Sequence, residues 1–248
     1  MIRKIILAAA VAVIAFPGAS QAGFSFGLNE KDVEGIIQKY IEENPQLIVD
    51  SFTRYNLLQE YKKAQEGIKR LNAVRDELEN DPALPVMGNP AGDVTVVEFF
   101  DYNCGYCKMM ALKATKAITE DGNIRWVMHD LPVLRPSSTT AAKAALAAHK
   151  QGKYKELHEA FMIHQGPLTD EEIKTIAAGV EGLDMAKLEQ DMQSDEVQAI
   201  LNKNRELADK LELSGVPQFI IGNYISNGAM MGNELQENVA IVRQEAKK

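Results

Sequence analysis

Cysteine, histidine, positive charge and long apolar runs are all scarce in this chain, and each scarcity excludes something. There are two cysteines and four histidines among 248 residues. His129, His149, His158 and His164 are scattered without ligand spacing beside the cysteines, so a zinc site is not expected. Twenty-seven Lys and Arg stand against 35 Asp and Glu, a formal net charge of −8, which argues against nucleic acid as a partner. The one long apolar run, Ile5 to Phe16, falls short of the roughly 20 residues that span a bilayer. Internal repeats and low-complexity segments are not evident.

What is present at the start has a different meaning. Arg3 and Lys4 precede the apolar run, and Pro17-Gly18 and Ser20-Gln21-Ala22 follow it, the pattern of a cleavable signal peptide over residues 1–22. Arg3 and Lys4 are the only charges in that stretch, so its removal takes the formal charge from −8 to −10 and leaves Gly23 first. The mature chain is expected to be soluble, and export makes lasting disulfide chemistry possible.

The chain is organised around Val94 to Met110. Val-Thr-Val-Val-Glu-Phe-Phe is a β-branched and aromatic run that predicts a buried strand. It leads through Asp101-Tyr102-Asn103 into Cys104-Gly105-Tyr106-Cys107, and Lys108 to Ala114 then offers helix formers without a breaker. A dithiol at a helix start meets unpaired N–H groups and the positive end of the helix dipole, which favours Cys104 as thiolate and nucleophile. Cys107, one turn further in, is the expected resolving thiol. A structural staple is the alternative, but so short a ring removes little unfolded-state entropy.

Upstream, Val33, Ile36, Ile37, Tyr40 and Ile41 share one helical face, and Asn44-Pro45 separates that helix from a longer one. From Ile48 to Leu78 apolar residues recur at gaps of three and four, a narrow seam that predicts coiled-coil pairing across residues 23–80. A helix folded back on its own domain is the alternative. Asn80-Asp81-Pro82 and Gly88-Asn89-Pro90 mark a linker before a catalytic domain, 81–248. There Asn123 to His129 predicts a strand, 137–213 a wholly helical insert, Val216 to Ser226 a hairpin turning at Gly222-Asn223, and Asn233 to Gln236 the capped start of a last helix.

Strand, Cys-X-X-Cys, helix, strand, helical insert, Val-Pro, hairpin and helix together resemble the α/β thioredoxin fold of bacterial DsbA-like proteins, over Pro82 to Lys248. The helical N-terminal extension resembles that of ScsC-type oligomeric relatives. The resemblance implies a periplasmic thiol:disulfide oxidoreductase without a cofactor. Its partners would be protein thiols and disulfides and a membrane redox protein, either a DsbB-like oxidant or a DsbD/ScsB-like reductant. It also implies that Pro217 is a cis proline beside the dithiol, leaving the Val216 backbone open to an extended substrate next to Gly105 and Tyr106. An ordinary strand-entry proline is the alternative. Glu98 matches the buried acid beneath the resolving cysteine, where it would relay a proton to or from Cys107. Otherwise it points outward or pairs with a lysine such as Lys113. His129-Asp130-Leu131-Pro132 stands where many relatives carry Lys-Glu-Leu-Pro, a departure from the family's charge pattern at that point.

The motif cues to direction disagree. Gly-Tyr between the cysteines is the DsbC-type isomerase pattern, and Val before Pro217 is the DsbA-type oxidase pattern. An oligomerising extension favours the isomerase, because isomerisation benefits from several sites around one substrate. Met109, Met110, Met230 and Met231 raise a reading from another class, a copper chaperone, against simple packing.

Overall fold

The computed structural model describes residues 29–247, so the expected signal peptide, 1–22, lies outside the described residues. The elements in chain order are α1 (Glu30–Glu43), α2 (Gln46–Glu79), β1 (Val86–Gly88), β2 (Val94–Phe100), α3 (Gly105–Asp121), β3 (Ile124–Asp130), α4 (Pro136–His149), α5 (Tyr154–Ile163), α6 (Asp170–Ala178), α7 (Met185–Asp191), α8 (Asp195–Lys210), β4 (Gln218–Ile221), β5 (Tyr224–Ile225) and α9 (Glu234–Glu245). The chain divides into two compact units, one ending at Leu58 and one from Gln59 to Lys248.

In the first unit, α1 opens with a reciprocal cap. Asn29 Oδ1 accepts the Asp32 N–H at 3.0 Å and Asp32 Oδ2 accepts the Asn29 N–H at 3.1 Å. The predicted apolar face is there but uncovered: α1 buries no residue, and in α2 Ile48, Phe52, Tyr55 and Leu58 are more than half exposed.

The second unit begins inside α2, about twenty residues before the boundary expected at position 80. Leu71, Val74 and Leu78 of α2 are buried with Val97, Phe99, Val127 and Ile220 of the sheet and Leu207 of α8. The seam therefore divides: Leu71, Val74 and Leu78 at its end lie back on the domain that holds the sheet, and Ile48, Phe52, Tyr55 and Leu58 in its earlier part are exposed. Arg75 completes the attachment, donating to Gly222 O at 3.0 Å and Asn223 Oδ1 at 2.9 Å in the β4–β5 turn.

The sheet runs β1-β3-β2-β4-β5. β2 and β3 are parallel, and the other pairs are antiparallel. β2 is central and buried on both faces, hence its unbroken apolar run. Val94, Val96 and Phe100 meet α3, α9 and the insert, whereas Val97 and Phe99 meet α2 and α8. Within the insert, Thr169 and Glu172 cap α6 reciprocally, whereas α4 and α5 start without a side-chain cap bond. Two details differ from the sequence reading. β1, expected as linker, is a short strand paired with β3. The Asn233 side chain makes no cap bond at α9; instead Glu234 accepts from Met231 N and from the Tyr224 hydroxyl.

Candidate active site

β2 delivers the chain to the dithiol. After Phe100 a tight turn, closed by Cys104 N–H to Asp101 O at 3.0 Å, places Cys104 as the N-cap of α3. Its Sγ accepts the Cys107 N–H at 3.1 Å, the role a serine or aspartate oxygen plays at an ordinary cap. Both thiols are free. The Cys104 thiol is pulled down to about 7, first by the hydrogen bond from the Cys107 thiol, then by the Cys107 and Tyr106 N–H groups, against burial and the Asp101 charge. Cys107 is fully buried. Burial pushes its thiol up, and the neighbouring Cys104 sulfur and Glu98 push in the same direction. The pair is thus polarised into a sulfur poised to ionise and one held protonated.

Val216-Pro217, whose peptide bond is cis, faces this pair, with the Val216 carbonyl oxygen 3.7 Å from Cys104 Sγ. Gly105 and Tyr106 are exposed beside it, Tyr106 at 68%. The six predicted residues of the dithiol loop and proline loop are therefore brought to one end of the sheet.

Glu98 lies on the α3 face of β2, opposite Met128 and Phe219. At 1% exposure it neither points outward nor pairs with Lys113, and both carboxyl oxygens lack a hydrogen-bond partner. Burial drives its pKa well above the carboxylate range; the Trp126 indole pulls the other way and the Cys104 charge adds to the rise. The indole does not close a hydrogen bond to the carboxyl, since Trp126 Nε1 is also without a partner. His129 lies on the opposite face, where its Nε2 donates to Leu78 O at 2.9 Å and its Nδ1 lies 2.9 Å from Asn204 Oδ1. Burial lowers it to about 4. It fastens β3 to α2 and α8 and does not replace a lysine at the dithiol.

The sequence reading passed over several polar residues around the dithiol. Asp101 is buried; its carboxylate accepts the N–H groups of Asn103, Val133 and Leu134 at 2.7, 2.8 and 3.0 Å. Asp130, on the α3 side, accepts the Tyr154 hydroxyl at 3.2 Å and is pushed up to about 8 by burial. Tyr102 meets His158 Nδ1 at 3.1 Å. Only the Asp-Tyr-Asn before the first cysteine hinted at this, as a polar turn between two apolar elements. Of the methionines, Met110 and Met230 are core residues and Met231 is exposed.

The model of the DSBA-like thioredoxin domain matches residues 95–241. A thioredoxin-like oxidoreductase from Silicibacter pomeroyi DSS-3 is 42% identical with a TM-score of 0.66, covering 68% of this chain and 98% of that one. The thiol-disulfide exchange protein alpha-DsbA2 from Wolbachia pipientis is 30% identical (TM-score 0.68; 73% and 98% covered). The catalytic domain of Proteus mirabilis ScsC is 27% identical (TM-score 0.64; 70% and 97% covered). Among curated proteins, a Na(+)/H(+) antiporter NhaA 1 of Salinispora arenicola is 30% identical over 146 residues, 58% of this chain but 22% of the antiporter. The chain spans that small part of the relative's length, and no helix among the described residues is long and apolar enough to cross a membrane.

Proposed function

The chain belongs to the DsbA-like thioredoxin family, and from that premise we propose that it is a thiol:disulfide oxidoreductase acting on protein thiols and disulfides through Cys104 and Cys107. The observation that carries this is the polarised pair, with Cys104 Sγ capping α3 at 3.1 Å from Cys107 N and Cys107 buried behind it.

The Cys104 thiolate attacks one sulfur of a substrate disulfide, forming a mixed disulfide and releasing the other sulfur as thiolate. Two exits follow. Cys107, once deprotonated, attacks Cys104 Sγ and releases the substrate with both electrons, leaving the Cys104–Cys107 disulfide; run backwards, this is substrate oxidation. Alternatively a second substrate thiolate attacks the substrate sulfur, releases Cys104 as thiolate and leaves the substrate rearranged without net redox change. Glu98 serves the first exit as the group that exchanges a proton with Cys107. Val216, freed of a competing N–H at Pro217, offers its backbone to an extended substrate across Gly105 and Tyr106.

We favour isomerisation. A Cys107 held protonated delays the first exit and leaves time for the second, and the uncovered face of the N-terminal helices suits association of several copies around one substrate. DsbA-like dithiol oxidation is the second reading, supported by the low pKa of Cys104. The leader pattern at 1–22 supports a periplasmic location, with a DsbB-like oxidant or a DsbD/ScsB-like reductant resetting the pair.

Reactivation of a scrambled substrate and oxidation of a dithiol peptide, run in parallel on the mature protein, separate the readings. Efficient reactivation in a thiol buffer supports isomerase. Oxidation without reactivation supports oxidase, and neither activity defeats the redox function altogether.

A further inference from the structure

Asn103 precedes the nucleophile, and its side chain leaves the dithiol loop for the insert. Its carboxamide oxygen accepts the Leu168 N–H at 2.6 Å. Its carboxamide nitrogen donates to Ser138 Oγ at 3.0 Å and Ser137 Oγ at 3.2 Å. The orientation is fixed by chemistry: the Leu168 N–H can only donate, so the oxygen must face it and the nitrogen must face the hydroxyls. Leu168 stands just before α6 and the serines lie in the first turn of α4, so one carboxamide joins two separate stretches of the insert.

The same insert loop is held on the other side of the dithiol. Lys108, which follows Cys107, donates from Nζ to His164 O at 2.8 Å and Gly166 O at 2.7 Å. The residues flanking the Cys-X-X-Cys stretch are therefore the two that tie it to the segment His164–Leu168. On the main chain, Asn103 N–H is taken by Asp101 Oδ1 at 2.7 Å, so the Asn103 backbone is anchored to its own turn while its side chain is anchored to the insert.

We propose that Asn103 is a positioning residue for Cys104, through which the inserted helices hold the nucleophilic sulfur on the N-terminus of α3. The inference rests on the redox reading above. Cap geometry is demanding: Sγ benefits from the Cys107 N–H only while the Asp101–Cys104 turn keeps its conformation, and a small displacement weakens a charge-assisted hydrogen bond steeply. With the carboxamide gone, the turn retains its Asp101 contacts but loses its tether to α4 and α6, and the thiolate loses part of its stabilisation.

The test compares reduced wild-type protein with Asn103→Ala, and with a Ser137→Ala/Ser138→Ala double variant that loosens the same carboxamide without touching the dithiol loop. Cys104 ionisation is followed by thiolate absorbance against pH, and the dithiol–disulfide equilibrium is measured against glutathione. In Asn103→Ala the Cys104 pKa is expected to rise by about one, with the glutathione equilibrium moving toward the disulfide by a little under twofold at pH 7 and by about tenfold at pH 9, where both proteins hold Cys104 ionised. The serine variant is expected to move both in the same direction by less. A folded Asn103→Ala protein with both readings unchanged overturns the proposal, because a merely structural role lowers the melting temperature without moving either. If Asn103→Ala does not fold, the serine variant decides on the same readings. If wild-type protein does not exchange with glutathione, the redox reading itself fails, an outcome distinct from a wild type that exchanges and a variant that matches it.

Discussion

At the scale of single residues, the two sulfurs divide one task between them, and the division is testable. In the reduced protein Cys104 should titrate near 7. Because the Cys107 thiol is the largest contributor to that value, Cys107→Ala should raise it while leaving the backbone contribution in place. Absorbance titration of both proteins checks this, and an unchanged value would return the whole effect to the helix terminus. The sign for stability follows. A Cys104 depressed to about 7 adds stability to the dithiol form as pH rises from 7 to its ordinary value of 9.0. Cys107, pushed up, removes stability above 9.0, where the unfolded thiol ionises and the folded one does not. Denaturant unfolding of the reduced protein should therefore show greatest stability from these two groups near pH 9.

Glu98 has the opposite sign for a carboxyl group. Its pKa is raised in the folded state, so the unfolded state gains by ionising above about 4.5 and the folded state does not. Glu98→Gln should accordingly be more stable than wild type at pH 7 and closer to it at pH 4, where the unfolded acid is itself mostly protonated. Kinetically it should slow resolution of the mixed disulfide more than its formation. Stopped-flow traces of the two steps decide, and equal slowing would take the acid out of the mechanism.

At the scale of elements, what could be foreseen and what could not separate along one physical line. β2, the dithiol, α3 and the insert's capped helices were legible because their signals are local: alternation or continuity of apolar residues, cap residues, breakers. β1 was not, because Val86–Gly88 owes its strand character to pairing with β3 and carries a glycine at φ +69° that reads as a turn. Asn103 was invisible as a tether because its partners lie 34, 35 and 65 positions away. The stripe on α2 was visible but undivided, since periodicity is the same whether a face is covered by its own domain or by another molecule. That division predicts contrasting mutants. Leu71→Ala, in the core, should lower stability by about 2–5 kcal/mol. Phe52→Ser, on an exposed face, should leave catalytic-unit stability unchanged and weaken self-association. Thermal unfolding and light scattering on both proteins test the pair.

At the scale of the whole molecule, the unit boundary at Leu58 resets where the chain can be cut. A chain starting at Gln59 should be a folded monomer that still oxidises dithiols and reactivates scrambled substrate poorly. One starting after Leu78 should be markedly less stable, having lost Leu71, Val74 and Leu78 from the core. Mass, melting temperature and the paired activities check this, and undiminished reactivation by the Gln59 chain would defeat the isomerase reading. One further consequence comes from the nucleophile serving as the cap of α3. Reduction, oxidation, folding and unfolding form a closed thermodynamic square, so whatever free energy the cap contributes to the folded dithiol must reappear as electron affinity of the folded disulfide. Two melting curves, one of each redox form, would then report the protein's oxidising power relative to its own unfolded chain without any electron donor in the tube.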